Sequence, residues 1–339
     1  MKYILQLFAQ RPVLITIVVC AIMYVLTGLT STGFFNGYTL VNFLQNNAAL
    51  GIVAVGLTFV ILTGGIDLSV GSVAGLSSMI VGGLLFSGLA LPGGGVLYLS
   101  VLAVILVGIL VGCFIGWVNG TLITKFHVPP FIATLGMLYV ARGAAQLRSN
   151  GGTFPNLAGS EAHGNQGFHI IGVDRWFGIP VAVWIMVAVA AVAIVVTSKT
   201  PFGRRVYAVG GNERAALLTG IRVSRVTVAV YVISGACAAL AGMLLTSELG
   251  AAYPDTATTY ELNAIAAAVL GGTALSGGRG TIVGTVMGAF VIGFLADGLV
   301  LVGVSTFWQS VVKGAVIILA IVLEQAQQRL QSRLSSRTS

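Results

Sequence analysis

Long apolar runs broken by short polar links follow one another along this chain, and they set its architecture before any single residue is considered. Runs at 12–30, 48–64, 68–90, 96–120, 129–148, 178–197, 223–246, 261–277, 281–303 and 308–324 are continuous enough to be membrane helices. Most reach the roughly 20 residues that a helix rising about 1.5 Å per residue needs to span a bilayer. The pattern predicts an all-α integral membrane protein of about ten transmembrane helices. It reads as one polytopic domain over 1–339, with no soluble portion large enough to do chemistry of its own. The first run follows Lys2, is long enough to span and lacks a small-x-small cleavage site, so it reads as a retained helix and not a signal peptide.

The polar links set the orientation. With the N-terminus in the cytoplasm, most of the 17 basic residues fall on the cytoplasmic side, among them Lys125, Lys199, Arg204, Arg205, Arg214 and Arg222. Only Arg148 and Arg175 fall outside, which is the sense of the positive-inside rule, and an even number of spans returns the C-terminus to the cytoplasm. The link at 149–177 is rich in Gly and Asn and is expected to be external. The link at 198–222 is strongly basic and is expected to be cytoplasmic, as is the short basic tail at 325–339.

Composition removes most other classes of function. Hydrophobic residues make up 57% of the chain and charged ones 8%, against about 25% in ordinary soluble domains. The net charge of +8 sits between apolar segments, where it acts as a topology signal and gives no case for nucleic acid. No Gly-Lys pair occurs, so this polypeptide has no phosphate-cradling P-loop. His127, His163 and His169 lack partners at metal-ligand spacing, and Cys20, Cys113 and Cys237 lie inside apolar runs as packing residues. An enzyme, a metal site and a bound cofactor are therefore not expected.

Glycines are patterned as well as numerous. Gly108, Gly112, Gly116 and Gly120 recur every fourth residue on one run and Gly280, Gly284 and Gly288 on another, giving smooth faces where helices approach closely. An internal echo, GG-x-x-LS-x-G, relates 64–71 to 271–278 and would be a parallel repeat if it is one. In the cytoplasmic link, Gly210 and Gly211 suggest a flexible turn, Asn212 an N-cap, Glu213 a residue at the positive end of a helix, and Gly220 its left-handed end. These frame one short helix over 213–219, with Arg214 beside Ala215, Ala216, Leu217 and Leu218. Such a helix needs something to dock against, either a groove on a partner or the bilayer surface.

GGIDLSVGSV (64–73), PPFIATLGMLYVARG (129–143), FGRRVYAVGGNERAALLTGI (202–221) and AVLGGTALSGGRGTIVGT (268–285) together resemble the permease subunits of bacterial sugar ABC importers, in the ribose, xylose and galactofuranose branch. The resemblance covers essentially the whole chain. It implies a multi-pass protein of the bacterial inner membrane, in two copies, paired with a cytoplasmic ABC ATPase subunit and fed with a monosaccharide by a periplasmic sugar-binding protein. It also implies that the 213–219 helix is the coupling helix that fits the ATPase, with Arg204, Arg205, Gly210, Gly211, Asn212, Glu213, Arg214, Ala215 and Gly220 forming the coupling loop.

A path for a neutral polyol should offer amides and hydroxyls within the membrane. The candidates are Asn46, Asn47, Asp67, Ser69, Asn119 and Asn263. Asp67 has a competing role as the cap of a helix starting near Leu68, assisted by Ser69, and Arg142 is expected to snorkel to the outer headgroups. The rival from another class is an ion-coupled secondary transporter, which needs a membrane-buried carboxylate, and here only Asp67 and Asp297 could serve. ABC permeases for an autoinducer-type sugar or a branched-chain amino acid would share the architecture.

Overall fold

The computed structural model describes residues 37–316 together with 28, 318 and 322. The first expected span, except Gly28, and the tail at 325–339 lie outside the described residues, and the expected span at 308–324 is described mainly as a helical stretch over 306–316. The described helices are α1 (Gly37–Leu62), α2 (Val70–Ser87), α3 (Val101–Lys125), α4 (Pro130–Leu147), α5 (Val181–Lys199), α6 (Pro201–Gly211), α7 (Glu213–Leu218), α8 (Val223–Leu249), α9 (Tyr260–Leu270) and α10 (Ile282–Leu301). Two small antiparallel hairpins interrupt them, β1 (Leu89–Ala90) with β2 (Val96–Leu97) and β3 (Arg175–Trp176) with β4 (Ile179–Pro180). The protein is a multi-pass helical membrane protein, and six of its described helices, α1, α2, α3, α5, α8 and α10, are long and apolar enough to cross a bilayer.

At the centre stands α1, apolar on every side and buried along most of its length, as a helix must be when neighbours surround it. α8 packs against α3, α1 and α2, while α9 and α10 pack against each other and against α1. The expected glycine faces do this work. On α3, Gly112 lies against Gly235 and Ala239, and Gly116 against the backbone of Tyr231 and Val232, so a methyl group at either position would meet α8. Gly284 and Gly288 hold α10 against Gly271 and Ala267, but Gly280 precedes the helix and packs on Thr273. The far face of α3 carries bare Leu102, Leu106, Leu110, Phe114 and Trp117, a surface suited to lipid.

Several boundaries differ from the sequence expectation. α1 begins at Gly37 and not near residue 48, because Gln45 donates to Gly172 O (2.9 Å) and Asn47 to Phe43 O (2.9 Å), so polar side chains stay inside the helix. Residues 96–97 form a hairpin strand, and the following helix runs from Val101 to Lys125. The expected span at 261–277 is helical only over the 11-residue α9, about 16 Å long, and runs on from Gly271 without helix. The 149–177 link is a packed cap and not an open loop: Phe168 and Leu157 are buried, Phe154 pairs with Ala252, and Asn165 Nδ2 donates to Leu85 O (3.0 Å).

Candidate functional site

The chain breaks helix twice in the same way. α1 ends where Gly64 turns left-handed (φ 79°), with Gly64 N donating to Ile61 O and Gly65 N to Val60 O. α9 ends where Gly272 does the same (φ 84°), with Gly272 N donating to Val269 O and Thr273 N to Ala268 O. These are matching glycine terminators, but they pair Gly64 with Gly272, one residue out of step with the sequence echo. The two breaks also meet, since Gly278 N donates to Leu62 O (2.9 Å).

After the first break the chain runs from Gly65 to Ser69 without helix, and Asp67 in this stretch is 1% exposed. Burying a carboxylate is costly unless hydrogen bonds replace its water. Asp67 Oδ1 accepts from Ser69 N (3.0 Å) and Ser69 Oγ (2.7 Å), and Oδ2 accepts from Ser234 Oγ (2.8 Å) on α8. Ser69 Oγ in turn accepts from Asn119 Nδ2 (3.0 Å) on α3, and Tyr231 OH donates to Ile66 O (3.0 Å). The helix therefore begins at Val70 and not near Leu68, and Asp67 ties the unwound segment to two neighbouring helices in place of capping α2. Asn119 Oδ1 is buried and has no partner among the described residues.

Three of the six expected path residues, Asp67, Ser69 and Asn119, are thus in one cluster. Asn47 is not in it: about four turns before the end of α1 it donates to Asp297 Oδ2 (3.3 Å), Asn46 beside it is exposed, and Asn263 is half-buried on α9. Arg142 is tied to the protein's own backbone. Its Nη1 donates to the carbonyls of Pro254 and Thr256 in the segment leading to α9.

The basic link folds into two helices. Thr200 caps α6 by accepting from Gly203 N (3.2 Å), and Val206 and Val209 face inward while Arg204 and Arg205 are exposed. Gly210 and Gly211 are the last turn of α6 and not a flexible turn; at Gly210 a methyl group would meet Leu62 O and Gly278 N. Tyr207 OH donates to Gly280 O (2.8 Å), and burial raises its phenol above the ordinary value, which keeps it a donor. α7 is capped as expected, Asn212 Oδ1 accepting from Ala215 N (3.0 Å), and it stops at Gly220 (φ 84°). Only Ala216 of α7 is buried, while Leu217 and Leu218 are 63% and 88% exposed. The result is a short capped helix with two bare leucines, packed on α6 and on the start of α8.

The family profile for the permease component of the branched-chain amino acid transport system matches residues 39–321. The chain belongs to this permease family. The permease is 46% identical over 304 residues to the ribose import permease protein of Bacillus subtilis (strain 168), covering 90% of each chain. It is 39% identical over 322 residues to the ribose import permease protein of Escherichia coli (strain K12), covering 95% of each. The xylose transport system permease protein of the same organism is 32% identical, with 96% of the permease and 93% of that protein covered. No solved structure matches the permease. As a transport component, the permease is not an enzyme.

Sequence reasoning missed Ser234 and Tyr231, whose only signal was a hydroxyl within an apolar run. It also passed over Glu261, a half-buried carboxylate at the start of α9.

Proposed function

We propose that this permease is the membrane subunit of an ATP-binding-cassette importer that carries a monosaccharide, a ribose-like pentose or a hexose, into the cytoplasm. The family description names branched-chain amino acids, but relatives matched over nine-tenths of their length are named for ribose and xylose. The observation that carries the reading is α7, a capped helix whose exposed Leu217 and Leu218 suit a groove on a cytoplasmic ATPase. In this reading the chain crosses the membrane about ten times with both termini inside. The 149–177 cap faces a periplasmic binding protein, and the 198–222 segment, with Arg204, Arg205 and residues 210–215 and 220, transmits the ATPase stroke. Two copies form a homodimer. The polar cluster of Asp67, Ser69 and Asn119, with Asn46, Asn47 and Asn263, borders the path. Because α7 follows directly on α6, whose Gly210 sits against Leu62 and Gly278, a push on α7 reaches the segment leading to the Asp67 cluster through α6.

The test is complementation. A strain deleted for its ribose permease but retaining its own pentose receptors should regain growth on ribose or xylose when given this permease with its own ATPase. Failure on every monosaccharide, with the protein present in the membrane, contradicts the reading.

A further inference from the structure

One carboxylate of the chain has an oxygen left without a partner. Glu261 is the second residue of α9, and its Oε2 is buried with no hydrogen-bond partner among the described residues. It lies against Gly71 in the first turn of α2, where a methyl group would collide with Oε2 and with Ala257 O. One turn on, Gly75 makes the same room for Arg142. Arg142 is near enough to act as a counter-charge to Glu261, yet its hydrogen bonds go to the carbonyls of Pro254 and Thr256, and among the described residues it forms no salt bridge with Glu261. The segment that delivers Glu261 holds Ala257 (φ 58°) and Thr259 (φ 68°) in the left-handed region without being glycine. Backbone of this kind persists where surrounding structure enforces it, and it clusters at functional sites.

An unpaired buried carboxylate oxygen is unfavourable, and a ligand O–H that donates to it removes the penalty. A monosaccharide carries several such donors and no negative charge to be repelled. We propose that Glu261 accepts a hydrogen bond from a hydroxyl of the monosaccharide in transit, its carboxylate admitted beside α2 by the missing side chain at Gly71 and the segment before it held by Arg142 through the Pro254 and Thr256 carbonyls. This rests on the sugar-importer reading above and adds to it a residue that reads the cargo.

The experiment is ATP-driven uptake into proteoliposomes holding the permease and its ATPase, with the binding protein outside. D-ribose and its single-deoxy analogues are compared between wild type and Glu261→Gln. Replacing the carboxylate by a neutral amide, whose one oxygen is the weaker acceptor, should slow ribose uptake about tenfold in the variant. For one analogue, the one lacking the hydroxyl that Glu261 reads, wild type should show a loss at least as large and the variant a clearly smaller further loss. Receptor preference is common to both proteins and cancels in this comparison. If Glu261→Gln does not reach the membrane, Glu261→Asp, which keeps the acceptor on a shorter arm, is read in the same way. Unchanged ribose uptake, or every analogue falling by the same factor in wild type and variant, overturns the assignment. Wild type that takes up neither ribose nor xylose with ATP overturns the sugar reading itself, and this inference with it.

Discussion

Asp67 shows how a carboxyl group is kept inside a membrane protein. Three hydrogen bonds satisfy its two oxygens, and the donors come from the unwound segment and from α8. Asp67→Ala would leave Ser69 and Ser234 without their acceptor, at about 1–3 kcal/mol for each buried unsatisfied group. Asp67→Asn keeps a carbonyl for Ser69 and an amide that the Ser234 hydroxyl can turn to accept. Thermal melting of the purified permease in detergent should therefore show a clear drop for Asp67→Ala and a much smaller one for Asp67→Asn. Equal drops would mean that the charge, and not the hydrogen bonding, holds the segment. Residue roles were legible where they are local: Asn212 and Gly220 bound α7 as their chemistry demands. Asp67 reads locally as a cap because its partner Ser234 is 167 residues away and the link to Asn119 passes through Ser69, 50 residues from it.

At the scale of elements, composition marked where helices are but not where they stop short. Hydropathy runs through Gly271 without a change, so the expected span continues to 277, whereas the left-handed Gly272 ends α9 at Leu270. The pair at Gly210 and Gly211 misled in the opposite way. Two glycines suggest a loose turn, but both are helical, and Gly210 is there because Leu62 O and Gly278 N approach its backbone. Gly210→Ala should therefore impair transport, since it pushes α6 off both broken segments. Gly211→Ala, with nothing within 4 Å, should be tolerated or gain about 0.5–1 kcal/mol of helix stability. Uptake rates of the two variants at equal membrane level check this. On α7, Ala215→Pro removes the N–H that Asn212 caps, worth about 1 kcal/mol in a helix too short to persist alone. The variant should reach the membrane at normal level and fail to co-purify with the ATPase; retained co-purification would reduce α7 to an interfacial helix.

Across the whole molecule, the two glycine-ended breaks meet beneath α6, so α6 rests on the segments that lead to the polar cluster. The orientation behind that picture comes from the distribution of basic residues. In a background without native cysteines, Arg205→Cys should resist an impermeant thiol reagent applied outside intact cells, while Thr153→Cys, exposed on the cap, should react. The central claim is that a partner's ATP, and not an ion gradient acting on this chain's carboxylates, drives the cargo. Its most direct test is ribose accumulation in proteoliposomes holding the permease with its ATPase, binding protein outside and ATP inside. The account predicts accumulation that requires ATP and the binding protein and that survives collapse of proton and sodium gradients. Accumulation by the permease alone, driven by either gradient and abolished in Asp297→Asn, would contradict it.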